Sequence, residues 1–120
     1  MRAALLGGPI GIWSRQLRFG DPVESREAAA ELEELGYGTL WIPGGDGGDI
    51  LDSVSTTLAA TRSVVVATGI LNVWMHDPVE VADVHARLDA DHPGRFVLGL
   101  GVGHAPIIDA KPGYRYRRPL

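Results

Sequence analysis

Three apolar runs, each closed by glycine or proline, constrain this chain more than any other feature. The longest reads Val64-Val65-Val66-Ala67-Thr68-Gly69-Ile70-Leu71-Asn72-Val73-Trp74, β-branched and aliphatic up to a glycine and more polar after it. A run this apolar without alternation is a strand buried on both faces, as in a parallel sheet. Similar runs at residues 38–42 and 95–101 flank it, each reached through a helical pattern. The chemistry of such a chain belongs where its strands end.

The boundaries are written in capping chemistry. Asp21-Pro22-Val23-Glu24 opens a helix: Asp21 caps, Pro22 has no amide hydrogen to waste in the first turn, and Glu24 can reach back to the cap. Ala28, Ala29, Leu32 and Leu35 follow at helical spacing until Gly36 stops it. Asp49 caps a second helix carrying Ile50, Leu51, Val54, Leu58 and Ala59. The same tetrapeptide recurs from Asp77 to Glu80 and opens a third, with Val81, Val84 and Leu88 toward one face. Capping physics alone selects that recurrence, so it is weak grounds for an internal duplication.

With a first strand over residues 9–13, a polar loop over 14–20 and strands over 38–43, 64–74 and 95–101, the expected order is β-α-β-α-β-α-β. Residues beyond 101 carry Pro, Gly and Tyr without periodicity. Alternating units with short connections give neighbouring parallel strands, in a doubly wound sheet or a barrel. Gly99-Leu100-Gly101-Val102-Gly103-His104 lacks the spacing of a dinucleotide fingerprint.

Composition narrows the function classes. A formal net charge of −4 offers no basic field for nucleic acid or an anionic membrane, and Lys111, Arg115, Arg117 and Arg118 read as a solvated cationic tail. There is no cysteine, which removes disulfides and thiolate chemistry and fits a cytoplasmic protein. No apolar segment approaches a membrane span. Met1 to Leu6 imitate a signal peptide, but Gly7, Gly8 and Pro9 interrupt them, so they are expected to lead into the first strand. The sixteen glycines cluster after the apolar runs, as a binding face requires.

At the fourth strand the residues become specific. Residues 93–106, from Pro93-Gly94-Arg95-Phe96 through Gly99-Leu100-Gly101-Val102-Gly103-His104-Ala105-Pro106, resemble the signature of the bacterial luciferase-like oxidoreductases, in particular the branch that uses coenzyme F420. Gly36-Tyr37-Gly38-Thr39-Leu40-Trp41-Ile42-Pro43, Ala67-Thr68-Gly69-Ile70 and Gly11-Ile12-Trp13 agree in the same order. The resemblance implies an α/β fold of parallel β/α units, the amino-terminal half of a (β/α)8 TIM barrel with four strands and three helices, so that residues 1–120 form one incomplete domain. A whole barrel takes about 250 residues.

It also implies an oxidoreductase that passes hydride between coenzyme F420 and a small-molecule substrate, with an FMN-dependent monooxygenase as the alternative. The expected cofactor-binding residues are Trp13, Gly69, Ile70, Leu71, Asn72, Gly101, Val102 and Gly103, with a non-proline cis peptide at Gly69-Ile70 backing the ring and His104 as the catalytic candidate. His104 is equally readable as a structural residue of its own loop. Pro43, Gly44 and Asp46 face the same mouth; relatives often carry an acid where this chain has Gly44. His76 is read as a neighbour of the Asp77 cap, His85 and His92 as surface residues, and no metal site is expected.

Two further readings stand beside the enzyme. Half a barrel leaves two unpaired strand edges, which predicts self-association, or pairing with a second half-barrel chain, and allows a chain that acts only through association. A small doubly wound binding domain outside this family would use the same strand ends.

Overall fold

The computed structural model describes residues 7–45 and 49–117. Its elements are β1 (Gly11–Trp13), α1 (Gln16–Phe19), α2 (Pro22–Glu34), β2 (Thr39–Pro43), α3 (Ile50–Ala60), β3 (Val65–Gly69), β4 (Leu71–Asn72), α4 (Pro78–Asp91), β5 (Phe96–Val97), β6 (Leu100–Gly101) and α5 (Ala105–Asp109). Four strands form one sheet in the order β1-β2-β3-β5, and every pairing in it is parallel. The parallel α/β architecture expected of the chain is therefore present, with each strand beside the previous one.

Capping starts the three long helices as anticipated. Asp21 Oδ1 accepts the amides of Val23 and Glu24, Asp49 Oδ1 accepts that of Leu51, and Asp77 Oδ1 accepts those of Val79 and Glu80. These helices cover one sheet face. Leu40, Ile42, Val66 and Phe96 pack there with Ala29 of α2, Val54 and Leu58 of α3, and Val81 and Leu88 of α4. On the other face, Trp13, Trp41, Ala67 and Val97 share one row across the strands.

Several boundaries differ from the expectation. The first strand begins at Gly11, and the leader assigned to Met1 to Leu6 lies outside the described residues, as do Asp46 and Arg118. The loop expected over 14–20 contains α1, because Leu17 turns inward and is buried in the core. Leu35 and Ala59, counted as apolar helix positions, are exposed.

The two long runs also break. The third becomes β3 and β4 about a cis peptide bond between Gly69 and Ile70, and the fourth becomes β5 and β6. At the break the Thr68 hydroxyl takes over the ladder, donating to Gly99 O at 2.8 Å and accepting from Gly99 N at 2.8 Å. Beyond it, β4 and β6 pair in parallel as a separate two-stranded ribbon.

The amino-terminal end of β3 is held by a contact invisible to pattern reading. The Glu33 carboxylate at the end of α2 accepts the amides of Arg62 at 3.0 Å, Ser63 at 2.8 Å and Val64 at 2.8 Å. Burial alone would raise its pKa, but the hydrogen bonds from Ser63, Val64 and Arg62 and the nearby Arg95 outweigh that and hold it below the ordinary value. Arg95 in turn donates to Thr61 Oγ1 at 2.7 Å and Val64 O at 3.0 Å.

Candidate ligand site at the strand ends

A cavity of about 330 Å³ opens at the carboxyl ends of the strands, where Gly44, Gly69, Ile70, Asn72, Gly103 and His104 meet. It is within the size range of small-ligand pockets. Larger hollows lie elsewhere. One of about 470 Å³ sits between the first turns of α3 and α4, among Asp49, Asp52, Asp77, Glu80 and Arg87. Another of about 410 Å³ is almost wholly apolar and involves Val73, Pro78, Val81 and Leu100. The strand-end cavity joins residues that follow β2, β3, β4 and β6, which is where β/α architectures place ligands.

Its walls follow from local structure. Gly69 lies between two indoles: a methyl group there would stand 3.2 Å from Trp41 Cε3 and 3.4 Å from Trp13 Cδ1. The Gly69 carbonyl accepts from Trp13 Nε1 at 3.0 Å and from Gly44 N at 3.3 Å. The next residue, Ile70, forms part of the cavity wall. Asn72 follows at the end of β4, its Oδ1 accepting the Trp74 amide at 2.9 Å.

The opposite wall is the loop into α5. Gly103 adopts φ +61°, close enough to Asn72 that a Cβ would stand 2.6 Å from its Nδ2. His104 is the N-cap residue of α5, and its exposed side chain makes no capping bond. Ile108, fully buried, anchors this short helix and brings Met75, Ile107 and Lys111 to the cavity.

Of the residues singled out from the sequence, Gly44, Gly69, Ile70, Asn72, Gly103 and His104 line the cavity together. The other described ones do not. Leu71 is 1% exposed and belongs to the core, because the side-chain alternation turns it inward beside Asn72. Gly101 packs beneath Ile70, and the Val102 carbonyl is taken by Trp74 Nε1 at 2.7 Å. Trp13 stands behind Gly69, 52% exposed as a residue and outside the cavity lining.

Sequence reading missed Lys111, which it left in a solvated tail. The available signal was Pro106-Ile107-Ile108, an apolar pair just after a proline that can start a helical turn. Two histidines read as surface residues are half-buried: His85 lies against the Phe96 ring at 5.1 Å, and His92 Nδ1 is 3.5 Å from Arg95 Nη1. Among the described residues no cluster of His, Cys, Asp or Glu could hold a metal ion, and no helix is long and apolar enough to cross a membrane.

A parallel β/α chain with a ligand-sized cavity at its strand ends has the architecture of the β/α ligand-binding proteins, barrels among them. The chain belongs to the luciferase-like monooxygenase family, whose profile matches residues 9–120. A Mycobacterium tuberculosis protein bearing the name of a coenzyme F420-dependent oxidoreductase is 27% identical over 115 residues, covering 96% of this chain and 32% of that protein. The 4-hydroxyprotoasukamycin monooxygenase of Streptomyces nodosus subsp. asukaensis is 33% identical over 88 residues, 67% of this chain and 23% of the other. Among solved structures, an F420-dependent secondary alcohol dehydrogenase in complex with an F420-acetone adduct superposes with a TM-score of 0.70 at 24% identity, over 86% of this chain and 35% of its own.

The chain thus spans between 23% and 35% of these proteins' lengths. Family membership also removes the reading as a doubly wound domain outside the family.

Proposed function

We propose that this chain contributes the cofactor-facing β/α segment of an oxidoreductase that passes hydride between coenzyme F420 and a small organic substrate. The observation that carries the reading is the convergence of Gly69, Ile70, Asn72, Gly103 and His104 on one cavity at the strand ends. These residues fit a flat, hydrogen-bonding heterocycle. Glycines at 44, 69 and 103 keep side chains out of the space, Ile70 offers an apolar surface, and Asn72 and His104 offer polar groups. When bound, the coenzyme supplies the hydride chemistry, and the protein supplies position and electrostatics.

In this reading Gly69 and Ile70 back one face of the heterocycle and leave the other to the substrate. His104 donates a proton or a hydrogen bond to a substrate oxygen on which charge develops. The experiment is a fluorescence titration of the purified chain with coenzyme F420 and with FMN. Saturable F420 binding, tighter than FMN binding, supports the reading; binding of neither contradicts it.

A second reading, an FMN-dependent monooxygenase, is favoured by the 33% identity to the Streptomyces monooxygenase. Anaerobic turnover separates the two, because a monooxygenase stalls without oxygen. A cytoplasmic setting goes with either.

We also propose that the chain pairs with a second copy of itself or with another half-barrel chain. β1 and β5 are the two edges of the sheet, and Trp13 and Leu100 are 52% and 56% exposed. Light scattering that finds only a monomer at every concentration contradicts this.

A further inference from the structure

The carboxyl end of β2 runs on past the strand that supports it. β1 pairs with β2 only as far as Trp13 opposite Trp41, so Ile42 and Pro43 continue without a strand on that side. Gly44 and Gly45 follow directly and line the cavity. Gly45 adopts φ +101°, a conformation that suits glycine. Two consecutive glycines hold no shape of their own, so their neighbours must fix them.

Arg18 stands where β1 has ended. Its Nη1 donates to Pro43 O at 3.0 Å and, at a longer 3.5 Å, to Gly45 O, the two carbonyls that bracket Gly44. A charged donor makes the shorter of these stronger than a neutral amide bond. The arginine is itself anchored: Leu17 beside it is buried, and the Ser25 hydroxyl of α2 donates to Gln16 O of α1 at 2.6 Å. Phe19 closes the same side, since a Cβ at Gly45 would stand 3.7 Å from its Cζ. Gly44 N donates in turn to Gly69 O at 3.3 Å, which carries the position of this loop to the back of the cavity. Arg18 itself is half-buried and absent from the cavity lining.

Resting on the ligand site proposed above, we infer that Arg18 is a positioning residue: it takes over from β1 beside the end of β2 and holds the Gly44 and Gly45 wall of the cavity in place without touching ligand. Ligand affinity then depends on a side chain from a short helix outside the site, because a wall that must be ordered at the moment of binding costs affinity.

Arg18→Met keeps the apolar stem and removes every donor; Arg18→Lys keeps the charge and one donor that can serve Pro43 O. Two readouts are taken on the purified chain. Amide hydrogen exchange without ligand compares Gly44 N, bonded to Gly69 O, with Val66 N, which donates to Arg95 O at 2.7 Å in the core. A general loss of stability speeds both, whereas a local opening speeds Gly44 alone. Fluorescence titration with coenzyme F420, and with FMN alongside, gives the affinity.

In Arg18→Met the expected result is Gly44 exchange at least about fivefold faster with Val66 unchanged, and F420 binding about tenfold weaker. Arg18→Lys should lie between the variant and wild type in both. Unchanged Gly44 exchange overturns the inference, even if affinity falls, because charge alone would then account for the loss. Wild-type affinity in a variant whose Gly44 exchanges faster overturns it too. A wild type that binds neither F420 nor FMN contradicts the proposed function instead, and the exchange comparison alone then decides whether Arg18 holds the wall. Should Val66 also speed up in Arg18→Met, Arg18→Lys decides: faster exchange at Gly44 alone supports the inference, and any other pattern overturns it.

Discussion

Trp13 Nε1 donates to the carbonyl of Gly69, 56 residues further along, at 3.0 Å. The bond ties the end of the first strand to the end of the third, across the intervening β2. It fixes the glycine that forms the back of the cavity. Trp13→Phe keeps an apolar ring and deletes the donor, while Gly44 N still serves the same oxygen. The expected loss is about 0.5–1.5 kcal/mol of stability in urea denaturation. F420 affinity should fall as the Gly69 wall loosens, and an unchanged affinity would remove Trp13 from the account.

Gly44 and Gly101 both press on Ile70, but on different atoms. A Cβ at Gly44 would stand 2.5 Å from the Ile70 carbonyl oxygen, and one at Gly101 would stand 2.6 Å from both Ile70 Cδ1 and Cγ1. Backbone yields less readily than a side chain that can change rotamer. Gly44→Ala should therefore cost about 1–3 kcal/mol and Gly101→Ala less, in the same denaturation assay. The reverse order would show that the packing around Ile70 is misread.

The two Asp-Pro-Val-Glu starts offer a cleaner test of local physics. Asp77 accepts from Val79 N at 2.8 Å and Glu80 N at 3.2 Å, and Asp21 makes the equivalent pair. Asp77→Ala and Asp21→Ala should each lower stability by about 0.5–2 kcal/mol, measured as a shift in the urea midpoint.

Glu33 predicts the acid limb of stability. Its folded pKa lies below the ordinary glutamate value of 4.5, so the unfolded chain binds this proton more readily than the folded one. The contribution is complete above 4.5 and is lost as pH falls through the lowered folded value. Glu33→Gln should be less stable than wild type at neutral pH, and the gap should close in acid. A gap that widens as pH falls would contradict the assignment.

These particulars show what the sequence makes readable. The caps at Asp21, Asp49 and Asp77, the stop at Gly36 and the parallel strands were legible because each depends on neighbours a few residues apart. Glu33 was not, because its partners lie 29 to 31 residues away. Leu17 escaped because four residues are too few to show a period. Leu71 and Asn72 were both assigned to the site, yet the alternation of a strand separates them, one into the core and the other to the cavity. Lys111 reaches the site only because Ile108 pins a helix too short to announce itself.

The central claim is that ligand is held at the trailing ends of the parallel strands. Amide chemical shifts of the isotope-labelled chain, followed while coenzyme F420 is added, test it directly. The account predicts saturable shifts at Gly69, Ile70, Asn72, Gly103 and His104, with Leu40 and Leu58 in the core unmoved. Shifts confined to Asp49, Asp77, Glu80 and Arg87 between α3 and α4, or none anywhere, would contradict it.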